Sequence, residues 1–492
     1  MEEGNGNQGY RPVQRVGLIV GAVVFFIMLA LPAPSGLADV GWRTAAVAVL
    51  MAVWWMTEAL DITVTALLPL VLFPALGIQS AQAASAPFAN ELIFLFMGGL
   101  FLAAGLEKWN LHKRIALRIM SWVGTSPDRL ILGIMISTAF ISMWISNTAT
   151  AAMMLPTALA IGEMFRPKDH KGVFHFGVAL MLGVAYASSL GGIGTLIGTP
   201  PNAVLAGAAN EMLGREVTFL GWMAVGVPVT VVMIPLAWLL LTRVMHPPGN
   251  LTGDAAAVIE AERAALGAPS RGEKITGFVF GMTALAWVLR AEKDLGGVVI
   301  PGIETWMPNV ADSTIAMTAA IALFLIPSDW KKGEFCLDWK TAKRIPWGVL
   351  VLFGGGLSLA AAMGDSGLAA WIGGVVSRLQ NVPDWVVVTA VATLFIFLTE
   401  LTSNVAVTSM AMPVMVGTAA GLGMDPLLLM TTAAVGASMA FMLPVATPPN
   451  ALVFSSGYLT IAQMARVGFF MNLMAIVVVT LLCWFLVPIF LL

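Results

Sequence analysis

Four short polar clusters interrupt the otherwise apolar sequence of this 492-residue chain and hold its candidate ligating side chains. The first is Ser142-Met143-Trp144-Ile145-Ser146-Asn147-Thr148 and the second Gly198-Thr199-Pro200-Pro201-Asn202. The third is Thr399-Glu400-Leu401-Thr402-Ser403-Asn404-Val405 and the fourth Ala446-Thr447-Pro448-Pro449-Asn450. Polar, helix-breaking sequence at membrane depth costs free energy unless it lines a cavity or binds something. Ser142 and Ser146 are spaced i, i+4 and share a helix face, and Asn147 adds an amide oxygen. Carbonyls freed where a helix stops, such as that of Gly198, complete an oxygen set. Thr399, Thr402, Ser403, Asn404 and the Ala446 carbonyl repeat it. Hard, neutral oxygens without carboxylates suit a monovalent cation such as sodium better than calcium or zinc. A single Ser or Thr in a membrane helix ordinarily bonds its own backbone or a neighbouring helix. The repeated clustering argues for more, and two cation sites are expected.

An anion needs different partners. No apolar span carries Lys or Arg near its middle. A negative substrate would be met by bound cations, by the amides of Asn147 and Asn404, and by hydroxyls such as Thr148. Helix segments beginning after Asn147, Asn202, Asn404 and Asn450 would add positive N-terminal ends. The Pro pairs suit the first turn of such segments, where a missing N–H does no harm. Glu400 reads either as a proton relay or as a structural partner of a polar neighbour. Glu58 and Asp61 read as a helix–helix corner. The four histidines lack metal-ligand spacing, and Cys336 and Cys483 lie too far apart for a disulfide framework. No nucleophile–base or metal-ligand set falls mid-span, so a transporter is expected rather than an enzyme, with no organic cofactor. The glycine runs Gly98-Gly99 and Gly354-Gly355-Gly356 follow no strand and read as close helix contacts, not phosphate loops.

The elements that must position these clusters are helices in a bilayer. The chain is 59% hydrophobic and 11% charged, with a mean hydropathy of +0.89; soluble domains are about 25% charged. A net charge of -2 argues against a nucleic-acid partner. Apolar spans fall at 16–33, 42–57, 62–76, 89–106, 173–212, 218–243, 276–290, 312–327, 346–363, 427–457 and 464–490. The first reads as a retained transmembrane helix, since no small-residue cleavage site follows it. Two further stretches, 129–163 and 384–418, carry a Ser-Asn cluster near their middle. Each half is shorter than a crossing, so each stretch is expected to be a re-entrant hairpin. Eleven crossings place the termini on opposite sides. With the N-terminus cytoplasmic, only Arg43, Arg215, Arg290, Lys293 and Arg378 of the 25 Lys and Arg lie outside. That bias supports a cytoplasmic N-terminus, an external C-terminus and a multi-pass protein of the plasma (inner) membrane. Residues 107–128 read as an amphipathic interfacial helix or as an extension of the helix before it. Residues 1–15 form a cytoplasmic tail, and 244–275 a cytoplasmic linker with a short surface helix.

The halves repeat. At an offset of 257, Gly98-Gly99-Leu100 matches Gly355-Gly356-Leu357, Ser142 falls on Thr399, Ser146 on Ser403, Asn147 on Asn404 and Pro156 on Pro413. The Thr-Pro-Pro-Asn motifs follow at an offset of 248. Five crossings separate equivalent points, and an odd number inverts the second copy. Inverted-topology repeats typify secondary transporters with a site near the midplane.

On Ser146-Asn147-Thr148, Ser403-Asn404, both Thr-Pro-Pro-Asn motifs, and Thr57-Glu58-Ala59 followed by Thr63-Val64-Thr65-Ala66-Leu67-Leu68-Pro69, the sequence resembles the divalent anion/sodium symporter family of sodium-coupled dicarboxylate transporters. The resemblance implies an all-α homodimer working as an elevator, each subunit divided into a scaffold and a transport domain. Residues 16–106 and 276–363 would be mainly scaffold. The first hairpin and broken helix (129–212) and the second (384–457) would form the transport domain. Residues 107–128 and 364–383 would be interfacial, with transmembrane helices at 213–243 and 458–492. It further implies one sodium site at Ser142, Ser146, Asn147 and Gly198, and another at Thr399, Thr402, Asn404 and Ala446. The dicarboxylate would touch Asn147, Thr148, Ser403, Asn404, Thr447 and Pro448. Val405 stands where the motif's second copy can carry Thr, which removes a donor and bears on which anion is preferred. The expected function is sodium-coupled symport of C4-dicarboxylates such as succinate, fumarate or malate into the cell. The sequence leaves open exchange in place of symport, and citrate, sulfate or another oxyanion in place of the C4 acid. A proton-driven pump would need intramembrane acid or histidine chains, for which only Glu400 is a candidate.

Overall fold

The structure, a computed structural model, describes residues 10–124, 126–166, 172–249, 255–294, 299–377 and 382–492. Residues 1–9 of the expected tail, Lys168, His170, Lys171, Arg378 and part of the linker lie outside these. The described chain is helical apart from two short antiparallel ribbons, Lys293–Asp294 with Val299–Ile300 and Pro327–Asp329 with Glu334–Phe335.

Nine helices among the described residues are long and apolar enough to cross a membrane. They coincide with most of the expected spans, with instructive departures. The stretch 62–76 is two short helices, Ile62–Ala66 and Leu68–Ala75, the second with Pro in its first turn. Composition alone reads through this joint, but Pro69 has no N–H to continue the ladder. Asp312–Leu325 has 14 residues, roughly 21 Å of helix against a hydrocarbon core of about 30 Å.

Both Ser-Asn stretches fold as helix–tip–helix. The first runs Pro127–Ser142, a tip at 143–146, then Asn147–Phe165. The second runs Asp384–Leu398, a tip at 399–403, then Asn404–Leu422. The leading arms have 16 and 15 residues, short as expected, but the returning arms have 19 each. The expectation that every arm is too short to cross is therefore corrected. Small residues near 417–421 do not stop a helix, which runs on to the left-handed Gly423 at φ +71°.

The two Thr-Pro-Pro-Asn motifs each restart a broken helix. His175–Gly192 stops and Pro200–Leu213 begins; Pro426–Ala437 stops and Pro448–Phe454 begins. Both arms of the first hairpin pack on His175–Gly192, and both arms of the second on Pro426–Ala437. The restarted segments cross over. Pro200–Leu213 packs on Asn404–Leu422 and Pro426–Ala437, and Pro448–Phe454 packs on His175–Gly192 and Asn147–Phe165. Tyr186 Oη donates to the Phe441 carbonyl at 3.2 Å, with the two rings edge to face at 5.0 Å. A large apolar core unites these elements. A smaller core holds Pro12–Ala30, Asp39–Thr57 and the two short helices after them against Trp347–Asp365 and Leu368–Val376.

The segment after Lys108 is a helix of its own. Asn110 sits in the left-handed region (φ 55°), ending Glu91–Lys108, and Leu111–Val123 starts beyond it. Its buried face of His112, Ala116, Leu117 and Met120 lies against Pro127–Ser142. The glycine pairs do serve close packing: a β-carbon on Gly98 would sit 2.7 Å from the Ala316 Cβ.

Candidate functional site

The first hairpin tip brings oxygens together. Ser142, at the end of its helix and fully buried, places its Oγ 2.9 Å from Asn147 Oδ1 and 2.6 Å from the Ser188 carbonyl. A hydroxyl has one proton to donate. Two acceptor oxygens therefore converge on a third oxygen that can satisfy only one of them. The second copy builds the same triangle: Thr399 Oγ1 lies 2.7 Å from Asn404 Oδ1 and 2.6 Å from the Ala437 carbonyl. This is an oxygen-rich, carboxylate-free donor set, and its chemistry fits a sodium ion. The Ala437 carbonyl comes from the last residue of its helix, where the ladder leaves carbonyls free, while the Ser188 carbonyl lies one position before the last turn of His175–Gly192. Sequence reasoning missed both, because any residue type supplies a carbonyl.

Crowding fixes Asn147. A β-carbon on Gly192 would lie 2.3 Å from Asn147 Oδ1, so only glycine lets the amide oxygen approach the helix end. Asn202 then closes the break: its Nδ2 donates to the carbonyls of Gly192 at 2.9 Å and Thr195 at 2.7 Å. Asn450 does the same at an offset of 248, donating to Ala440 at 3.2 Å and Leu443 at 3.0 Å. Both leave a buried Oδ1 without a donor. The Thr195 hydroxyl also donates to the Met143 carbonyl, tying the break to the tip.

The other expected residues sort by environment. Ser146 Oγ caps its helix by accepting from Ala149 N at 3.4 Å. Gly198 lies against Gly192 and the Met143 carbonyl, within the same knot. Thr402 bonds back to the Leu398 carbonyl at 3.1 Å, so its hydroxyl proton is already used. Ala446 is buried at the second break, and Thr447 Oγ1 caps Asn450 N at 3.3 Å. Thr148 and Pro448 are exposed, while Ser403, Asn404 and Asn147 are half-buried at the tips. Val405 packs against both apolar cores.

Glu400 has a structural task. Its carboxylate accepts from Phe441 N at 2.7 Å, from Met442 N at 3.0 Å and from Asn472 Nδ2 at 2.9 Å. It thus satisfies N–H groups of the second break, whereas the first break is tied to its tip by the Thr195 hydroxyl donating to the Met143 carbonyl. Outside the site, His175 and His246, far apart in sequence, meet with Nδ1 atoms 3.0 Å apart. Burial, then His175 and Arg466, push the His246 imidazole down to about 4. Among the described residues no cluster of three His, Cys, Asp or Glu could hold a metal.

The comparisons with known proteins agree with this architecture. The chain is 41% identical over 490 residues to a protein of Staphylococcus saprophyticus named sodium-dependent dicarboxylate transporter, covering 98% of this chain and 93% of that relative. A Staphylococcus aureus protein of the same name is 39% identical, covering 97% and 92%. The crystal structure of the Alcanivorax borkumensis YdaH transporter shares the fold, with a TM-score of 0.59 over 96% of both chains at 16% identity. The family profile described as sodium:sulfate symporter transmembrane region matches residues 13–492. With paired Ser-Asn tips, paired broken helices and that match, the chain belongs to the sodium:sulfate symporter transmembrane family.

Proposed function

We propose that this protein is a sodium-coupled symporter that carries C4-dicarboxylates such as succinate, fumarate or malate into the cell. The observation that carries the reading is the matched pair of oxygen triangles, Ser142–Asn147–Ser188 and Thr399–Asn404–Ala437. Each suits one sodium ion, with Ser146 and Gly198 adjoining the first and Thr402 and Ala446 the second. The ions supply positive charge that the chain withholds at this depth, and the helix ends at Asn147 and Asn404 add to it. The dianion binds across the tips at Asn147, Thr148, Ser403, Asn404, Thr447 and Pro448, with Val405 lining the pocket apolarly. The relatives named as sodium-dependent dicarboxylate transporters support the substrate class.

In this reading both Ser-Asn stretches are re-entrant hairpins in an inverted repeat, and together with the broken helices they form the moving domain of an elevator. The smaller apolar core belongs to the scaffold of a homodimer in the plasma membrane, with the N-terminus cytoplasmic and the C-terminus external. The distribution of Lys and Arg supports that orientation.

Uptake of labelled succinate into proteoliposomes tests the reading. An inward sodium gradient should drive accumulation, and unlabelled fumarate and malate should compete. Accumulation without sodium, or driven only by internal dicarboxylate, would replace symport with exchange. Competition by sulfate alone would move the substrate to an inorganic oxyanion.

A further inference from the structure

We propose that the cleft between Leu111–Val123 and the linker helix Ala255–Leu266 binds the phosphate headgroup of an anionic phospholipid. The cleft has a volume of about 380 Å³, within the range of about 300–1,000 Å³ typical of small-molecule sites. Arg114 and Arg118 form one wall and Glu260 and Arg263 the other, and the turn at Gly267 and Pro269 completes the lining. None of these residues belongs to a hairpin tip or a helix break, so the site stands apart from the transport site and does not depend on which anion is carried.

Ion pairs fix the two walls. Lys113 Nζ lies 2.6 Å from Glu262 Oε2 and holds the linker helix on Leu111–Val123. The buried Glu273 accepts from Arg114 at Nε and, at 3.1 Å, at Nη2, while Arg114 Nη1 donates to the Gly267 carbonyl at 3.0 Å. Glu273 thus neutralises Arg114 and sets its position, which leaves Arg118 and Arg263 against Glu260 in the cleft. Arg263 reaches Glu260 only at 3.6 Å, with both side chains largely in solvent. Arg118 has no carboxylate within ion-pair distance among the described residues. The excess of one cation matches the single negative charge of a phosphodiester, and a guanidinium fork fits two of its oxygens. The helix face argues for a lipid as the source. Residues 114, 118 and 122 are four apart and share that face. Trp122 is 73% exposed, with the Arg118 guanidinium 5.8 Å from its ring. The other face of the helix, His112, Ala116, Leu117 and Met120, is buried against Pro127–Ser142. An exposed tryptophan beside basic residues marks the headgroup level of a bilayer, and basic pockets there take lipid headgroups. A soluble phosphate would gain nothing from Trp122.

The test titrates the full chain in detergent with phosphatidylglycerol, with phosphatidylcholine and with soluble glycerol phosphate, and reads the bound species by native mass spectrometry. The parent protein should bind phosphatidylglycerol more tightly than phosphatidylcholine. Arg118→Gln should weaken phosphatidylglycerol about five-fold, the scale of one basic residue at an anionic surface. Arg118→Gln/Arg263→Gln should weaken it further, and Arg118→Lys should keep part of the affinity. Since Arg118 pairs with no carboxylate, the lipid-free melting temperature of Arg118→Gln should match the parent's, which separates loss of the site from misfolding. Equal affinity for the two lipids in the parent, or unchanged affinity in Arg118→Gln/Arg263→Gln, would overturn the site. So would an equal loss in Lys340→Gln/Lys343→Gln, which removes two exposed bases elsewhere. Glycerol phosphate binding as tightly as phosphatidylglycerol would overturn the lipid as its occupant.

Discussion

At the scale of single residues, the site is defined by how few protons its oxygens share. Ser142 and Thr399 each face two acceptors, so removing the hydroxyl strips an oxygen from each proposed cation site and leaves the Asn147 and Asn404 amides in place. Ser142→Ala and Thr399→Val should each raise the sodium concentration for half-maximal uptake, by roughly ten-fold if one charge-assisted contact is lost. Uptake measured against sodium at saturating succinate checks this, and an unchanged curve in either variant would remove that triangle from the mechanism. The histidine pair makes a separate residue-scale prediction. The folded-state pKa of His246, near 4, lies below the ordinary 6.5, so the unfolded chain binds the proton more readily. This contribution to stability is complete above about pH 6.5 and is lost as the pH falls toward about 4. His246→Asn should flatten that part of the curve of melting temperature against pH, leaving any slope due to other groups.

At the scale of elements, the breaks matter more than the helices they interrupt. A broken helix exposes N–H and carbonyl groups that must find partners inside the protein. The two copies meet this demand differently. Asn202 and Asn450 donate to break carbonyls in both; the first adds the Thr195 hydroxyl donating to the tip, and the second adds Glu400, which reaches across from the hairpin to accept from Phe441 and Met442. Glu400→Gln keeps one acceptor oxygen and should retain sodium-driven uptake with an unaltered pH profile. Glu400→Ala leaves buried N–H groups unpaired and should destabilise the protein by about 1–3 kcal/mol, read as a lower melting temperature. Loss of all pH dependence in Glu400→Gln would restore the proton-relay reading.

At the scale of the whole molecule, the two copies stand in unlike surroundings. Trp144 at the first tip packs edge to face on Phe280 at 4.9 Å, and Ile197 at the first break lies against Gly99. Their counterparts Leu401 and Val445 are each 71% exposed. A transporter that alternates access exchanges such environments between its repeats. Cysteines placed at 401 and 445 should react quickly with a water-soluble thiol reagent and cysteines at 144 and 197 slowly, in a background lacking Cys336 and Cys483. Sodium with succinate should shift the ratio, and rates insensitive to both would count against the alternation of these faces.

The paired clusters, the repeat offsets of 257 and 248, and the helical, membrane-spanning character are properties of residue type and order, so they are legible along the chain before any fold is known. Asn147 and Asn404, Thr399 and Ser142 stood out because a hydroxyl or amide in apolar sequence is costly wherever it ends up. The sequence did not show that Ser188 and Ala437 lend their carbonyls, because every residue has one and only packing decides which of them faces a hairpin tip. Nor did it show that Thr402 spends its hydroxyl on Leu398, that Glu400 closes a break 41 residues away, or that His175 meets His246. Those outcomes depend on which helix ends are brought together. That is decided by packing across the whole molecule, where the restarted half of each broken helix lies against the other copy.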